Sequence, residues 1–141
     1  MKLRRNLRRD QTGAAAIEMA FALPILIVMI WMFVQLAEVY RAVAGIQQGL
    51  GEGARYATLC LNPSATGCTT PSATDISAKI SASVYGIGPG TFVVTPPVKQ
   101  TDGTASYYDL SVSYTQPTSL LILPGPTISL TRSKRVWVAG S

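Results

Sequence analysis

Glu18 stands first among the residues equipped for chemistry, because it is the single charge in a 24-residue apolar run, AAAIEMAFALPILIVMIWMFVQLA over 14–37, which also holds one late amide, Gln35. An ionised carboxylate at the bilayer centre costs about 2.5–3.5 kcal/mol on insertion scales, so it needs a partner or a task unless it reaches headgroups or water. Cys60 and Cys68 are the only cysteines, eight positions apart. They suit a disulfide or two separate thiols, and with no histidine in the sequence a metal site is not expected. Glu52, Asp75, Asp102 and Asp109 are scattered along the outer body, and no phosphate-cradling loop is present. The usual acid–base, nucleophilic and metal constellations are missing. The expectation is an assembly component that is not an enzyme, with no catalytic residue, no cofactor and no small-molecule substrate.

The element that carries Glu18 is the apolar run itself. At about 1.5 Å per residue, a helix over 14–37 reaches roughly 36 Å, enough for the hydrocarbon core of a bilayer with some tilt. Lys2, Arg4, Arg5, Arg8 and Arg9 precede it, while Arg41 is the only basic residue within fifteen positions after it. The positive-inside bias therefore predicts a cytoplasmic N-terminus and an exported body. The same cluster accounts for most of the formal charge of +5: five basic residues and Asp10 give 1–13 a net +4, leaving about +1 elsewhere. A near-neutral body has no electrostatic footprint for nucleic acid. A cleaved signal peptide would have a 7–15-residue apolar core followed by a small-residue site. This run is longer, and 34–40 contains no A-x-A, so the segment is expected to be retained.

Past the membrane the helix continues over 38–58. Val39, Val43, Ile46, Leu50, Ala54 and Ala57 recur every three or four positions, with Glu38, Arg41, Gln47, Gln48, Glu52 and Arg55 on other faces. Gly45, Gly49, Gly51 and Gly53 either admit a second helix at close range or loosen this one. On the exported side a disulfide between Cys60 and Cys68 is the economical reading, closing a turn over 62–67. A short helix follows, capped by Ser72 or Thr74, with Ile76, Ile80 and Val84 as its apolar stripe and Gly86 at its end.

The period then changes. Residues 92–95 form a β-rich run that Pro96 and Pro97 place at an edge, and Asp102-Gly103 marks a turn. Tyr108, Leu110, Val112 and Tyr114 alternate with polar residues as a strand that Pro117 is expected to end. Pro124-Gly125-Pro126 predicts a loop, and a last strand runs from Ile128 to about Val138 with Arg132, Lys134 and Arg135 exposed. Leu120-Leu121-Ile122-Leu123 reads as a cap on the small core, or else as a patch for a neighbouring subunit or the membrane surface. The fold class is α+β: a long N-terminal transmembrane helix continuing outside, one short helix and an antiparallel sheet of about three strands. Its parts are a leader over 1–13, a span over 14–37, a helical continuation over 38–58 and an exported head over 59–141.

The order Gly13-Ala14-Ala15-Ala16-Ile17-Glu18 behind a short basic leader resembles the processing site of type IV prepilins. Pro24 inside the span is also common in pilin-like helices. With Gly51-Glu52-Gly53-Ala54-Arg55-Tyr56-Ala57 closing the helix, the region over about 5–58 resembles TadE-like proteins, and the terminal strands do so more loosely. Met19 departs from the aromatic residue that often follows the glutamate in processed pilins. The resemblance implies a minor pilin or pseudopilin of the tight-adherence (Flp, type IVb) system, acting in pilus assembly and adherence. It implies cleavage by a prepilin peptidase between Gly13 and Ala14, which makes Glu18 the fifth residue of the processed chain. The new amino group at Ala14 is cationic near neutral pH and can pair with a carboxylate on an adjacent subunit, setting the stagger of packed helices.

The partners so implied are the membrane, the peptidase, and other pilins or pseudopilins with tight-adherence assembly proteins. The location is a bacterial inner membrane, with the head exported. Two other functions fit parts of the sequence: a permanently anchored envelope protein with a partner-binding head, and a pseudopilin of type II secretion.

Overall fold

A computed structural model describes residues 12–60, 66–84, 86–119, 121 and 123–138. Residues 1–11 of the expected leader over 1–13, and most of the expected turn after Cys60, lie outside the described residues.

Helix α1 (Thr12–Ala57) is 46 residues long and passes through Pro24 as one element. Its two halves have different surroundings. Between Gly13 and Val34 every side chain is exposed except the half-buried Val28, and large apolar groups such as Phe21 (72%) face outward. From Ala42 onward one face is buried: Ala42, Gly45, Ile46, Gly49, Leu50, Gly53 and Ala57. The apolar stripe expected from the sequence is thus rotated, with Val39 and Val43 only half-buried. The helix selects its small residues for that face because α2 (Ala73–Val84) lies directly against it. A Cβ on Gly45 would meet Ile87, one on Gly49 would meet Val84, and one on Gly53 would meet Ile80. Close approach of a helix, one of the same chain, is found at Gly49 and Gly53, whereas Gly45 faces Ile87 beyond α2 and Gly51 meets nothing within 4 Å.

Ser72 caps α2. Its hydroxyl accepts the Asp75 N–H at 3.2 Å, while the Asp75 carboxylate accepts the Ser72 N–H at 3.2 Å and its hydroxyl at 2.6 Å. This reciprocal arrangement satisfies N–H groups that a helix start leaves without partners. Ile76, Ile80 and Val84 are buried, as their spacing predicts.

The antiparallel sheet, expected with about three strands, has four: β1 (Thr91–Thr95), β2 (Lys99–Asp102), β3 (Ala105–Ser119) and β4 (Pro124–Val138). All pairings are antiparallel. β1 and β2 follow one another along one edge of β3, and β4 lines the other edge. β2 escapes a reading of periodicity because all four of its residues are exposed. Gly103, at φ 62°, turns β2 into β3. Leu110, Val112, Tyr114 and Gln116 point inward from β3 and join Ala42, Ile46, Leu50, Ile76, Ile80 and Val136 in the interior under the helices.

Two proline expectations are corrected. β3 runs through Pro117 to Ser119, and Pro124-Gly125-Pro126 lies within β4. β1 stops at the Thr91–Thr115 pair, so beyond it the hairpin has open edges, where a residue without an N–H is tolerated. The register shifts between Pro117 and Ser119 as the ladder passes these prolines.

Candidate assembly site

Gly13, Ala14 and Glu18 lie on the exposed first turns of α1. Ala14 and Glu18 are four positions apart, hence on the same helix face one turn from each other. Among the described residues Glu18 has no hydrogen-bond or ion-pair partner, and the basic cluster that precedes it lies outside them. A Cβ built on Gly13 meets nothing within 4 Å, so that backbone is open to approach from solvent. The stretch over 14–37 therefore presents one carboxylate, without a partner among the described residues, on a cylinder that is apolar as far as Gln35, and α1 is long and apolar enough to cross a membrane.

Cys60 and Cys68 are joined, with their Cα atoms 5.5 Å apart. The bond ties the end of α1 to the segment that leads into α2. α1 ends just before it, where the Thr58 N–H and hydroxyl both turn back to the carbonyls of Ala54 and Arg55.

Comparison with protein-family models, with curated proteins and with solved structures finds no match. The geometry must speak for itself, and its most developed feature is one that sequence reading missed.

At the junction of the two halves of α1, three consecutive turns carry Trp31, Gln35 and Glu38, and each reaches down β3. Gln35 makes two bonds to one residue: its Oε1 accepts the Ser119 N–H at 3.0 Å and its Nε2 donates to the Ser119 carbonyl. Trp31 Nε1 donates to the same carbonyl at 3.0 Å. Glu38 accepts from Gln116 Nε2 at 3.3 Å; Gln116 Oε1 accepts the Tyr114 hydroxyl at 2.7 Å; and that hydroxyl accepts the Gly90 N–H at 3.1 Å. Tyr114 and Gln116 are fully buried, so this chain of bonds answers polar groups that would otherwise be stranded in the core. Burial pushes the Tyr114 phenol above its ordinary range, the Gly90 N–H opposes that shift, and the Glu38 carboxylate adds to it. The head is thereby fixed to α1 by side chains at the C-terminal end of the apolar run. The signals were present as polar residues in apolar surroundings, Gln35 in the run and Gln116 in the alternation of β3.

The outward face of the sheet carries a second cluster. Arg135 forks onto Asp109 at 2.8 and 3.0 Å, and its guanidinium lies 4.1 Å over the Tyr107 ring, which stacks obliquely on Trp137 at 5.0 Å. The bond to Arg135 holds the Asp109 carboxyl below the usual range and raises Arg135 in turn. This arrangement is complete within the chain and exposed to solvent.

The expectation that residues 120–123 cap the core is corrected for those described: Leu121 is 49% and Leu123 64% exposed. The interior is already closed at that end by Tyr114 and Gln116, so the leucines have no buried space to fill.

Proposed function

We infer that this chain is a single-pass envelope protein of the pilin class, a TadE-like minor pilin or pseudopilin of tight-adherence pilus assembly. It sits in the bacterial inner membrane with its N-terminus in the cytoplasm and its head exported. A prepilin peptidase cuts between Gly13 and Ala14, and the freed apolar helix packs laterally among other pilins. The observation that carries this reading is the division of α1. Its first half is exposed, apolar and bears one carboxylate that has no partner among the described residues, while its second half is the spine of an α+β head. In a helix that only anchors a head, Glu18 is answered by nothing beyond headgroups or water. In one that packs against copies or relatives, Glu18 can pair with the amino group exposed at Ala14 of a neighbour, offsetting the desolvation of both. The reading needs no catalytic group.

N-terminal sequencing of membrane-extracted protein, from a host with the cognate peptidase, tests the processing step. The expected terminus is Ala14, and a chain that still begins at Met1 removes that step. Electron microscopy of a deletion strain tests the assembly role: pili are expected to be lost or malformed, and normal piliation favours a permanent anchor.

A further inference from the structure

β3 descends α1 toward the apolar half. Leu110 lies beside Gly53, Gln116 bonds to Glu38, and Ser119 bonds to Gln35 and Trp31. The turn between β3 and β4 therefore sits next to the exposed apolar part of α1. A groove of about 450 Å³ separates them there, lined by Met29, Phe33 and Leu36 on the helix and by Ser119 and Ile128 on the hairpin.

Three features give that turn a lipid character. First, the hairpin is partitioned by charge. Asp109, Arg132, Lys134 and Arg135 occupy its outer half, and no Asp, Glu, Lys or Arg occurs from 110 to 131. Second, its tip exposes Leu121 and Leu123, and Leu121 holds φ 68°, a backbone region in which glycine or asparagine is the ordinary occupant. Third, the backbone groups of Ser119 are answered by Gln35 and Trp31, and a chain segment entering lipid must have its N–H and C=O groups satisfied by protein.

Depth agrees with these. Trp31 follows Ala14 by 17 residues. That is about 26 Å of helix, which puts the indole near the outer edge of a ~30 Å hydrocarbon layer, where tryptophan is enriched.

We propose that the β3–β4 turn is a second, shallow membrane anchor, with Leu121 and Leu123 immersed at the headgroup–acyl boundary of the outer leaflet beside Trp31. Lipid is the occupant because the turn is continuous with the lipid-facing surface of α1 and is uncharged, as the adjoining part of that surface over 19–37 is. Two contacts with one leaflet, the span and the turn, fix the tilt of the head over the bilayer. The proposal rests on the reading of α1 as a span, but not on cleavage or pilus assembly.

The test uses the full chain in phosphatidylcholine–phosphatidylglycerol vesicles, with the Cys60–Cys68 bond kept oxidised. A single NBD label is placed through L123C, with I27C as the mid-span control and T104C at the far turn of the sheet. Nitroxide lipids, shallow or deep, and aqueous iodide serve as quenchers. At 123 the shallow nitroxide is expected to quench at least threefold more than at 104, with iodide access reduced at least threefold. At 27 the deep nitroxide dominates. Quenching at 27 with position 123 behaving like 104 overturns the second anchor and leaves the span standing. Absence of lipid quenching at both overturns the span and the anchor together. Shielding of 123 from lipid and iodide alike, relieved by diluting the protein in lipid, means a second copy covers the turn and also overturns the proposal. Leu121→Asn suits the backbone at φ 68°, so it preserves the head while removing one leucine. It is expected to halve or more the lipid quenching at 123, and unchanged quenching counts against the proposal.

Discussion

Ile80 occupies the space that a side chain on Gly53 would need: a Cβ there would lie 2.4 Å from Ile80 Cγ1 and 2.7 Å from its Cδ1. Gly51, two positions away on the same helix, has nothing within 4 Å. Both glycines weaken α1 by about 1 kcal/mol relative to alanine. Only one of them has a packing reason. Gly51→Ala is expected to stabilise the head by about 0.5–1 kcal/mol. Gly53→Ala gains the same propensity, but overpacking a well-filled interior costs about 1–3 kcal/mol, so the net is a loss of roughly 1 kcal/mol. Chemical denaturation in detergent micelles, followed on the head, reads both; shifts of the same sign contradict the close-packing account.

The buried bonds from Gly90 through Tyr114 and Gln116 to Glu38 behave as a unit. Tyr114→Phe strands the Gly90 N–H and one lone pair of Gln116, and Gln116→Leu leaves the Tyr114 O–H without its acceptor and Glu38 without its donor. Each is expected to cost about 1–3 kcal/mol, the penalty for a buried polar group left unmade. The double substitution removes both ends of one bond, so its cost falls below the sum of the two by at least about 0.5 kcal/mol. Strict additivity in equilibrium denaturation would mean the two side chains are not coupled.

What was legible in the sequence was what local pattern determines. The stripe Ile76, Ile80, Val84 and the cap at Ser72 follow from spacing and residue type within one short segment. The alternation over 108–115 does likewise for the centre of β3. The rest depends on neighbours distant in sequence. Whether Pro117 ends a strand depends on β1 stopping at Thr91. Which face of α1 is buried depends on α2 and on Ile87 after it, which lie against Gly49, Gly53 and Gly45 while the larger Val39 and Val43 stay half-buried. At the candidate site, Glu18 was visible as a charge in an apolar run. Gln35 was visible as an amide in that run, but its partner Ser119 lies 84 positions away.

Stability is expected to fall at both ends of the pH scale, for reasons of opposite sign. The bonds from Ser72 lower Asp75, and the bond from Arg135 lowers Asp109. A carboxylate depressed in the folded state contributes stability that is present above its unfolded value, about 3.9, and is lost as pH falls through the folded value. Asp75→Asn and Asp109→Asn are therefore expected to flatten the decline below about pH 4. Tyr114 is raised by burial. Its contribution is present below about pH 10, the unfolded value, and is lost as pH rises through the folded one, because ionisation then favours the unfolded chain. Tyr114→Phe should lack this alkaline component. Denaturation midpoints measured across pH check all three substitutions, and an acid limb unchanged by both Asn variants would place its cause elsewhere.

Gln35 clamps Ser119 in the manner of a strand neighbour, accepting its N–H at 3.0 Å and donating to its carbonyl, while Trp31 Nε1 gives that carbonyl a second donor. The two helix residues can be separated by substitution. Trp31→Phe keeps an aromatic ring against the hairpin and removes only a bond to the carbonyl, so the Ser119 amide stays protected from hydrogen exchange. Gln35→Ala removes the acceptor of that amide, and its exchange is expected to quicken about tenfold, as loss of one hydrogen bond worth about 1.4 kcal/mol implies. Gln35→Glu keeps an acceptor and loses the donor, so protection of the amide should survive although the carbonyl retains only Trp31. Exchange followed in micelles at the end of β3 distinguishes these cases. If Gln35→Ala leaves the amide as slow as before, its protection comes from the ladder to β4 and not from the clamp. The head would then be held to α1 by their shared buried core and by the bonds from Tyr114 through Gln116 to Glu38.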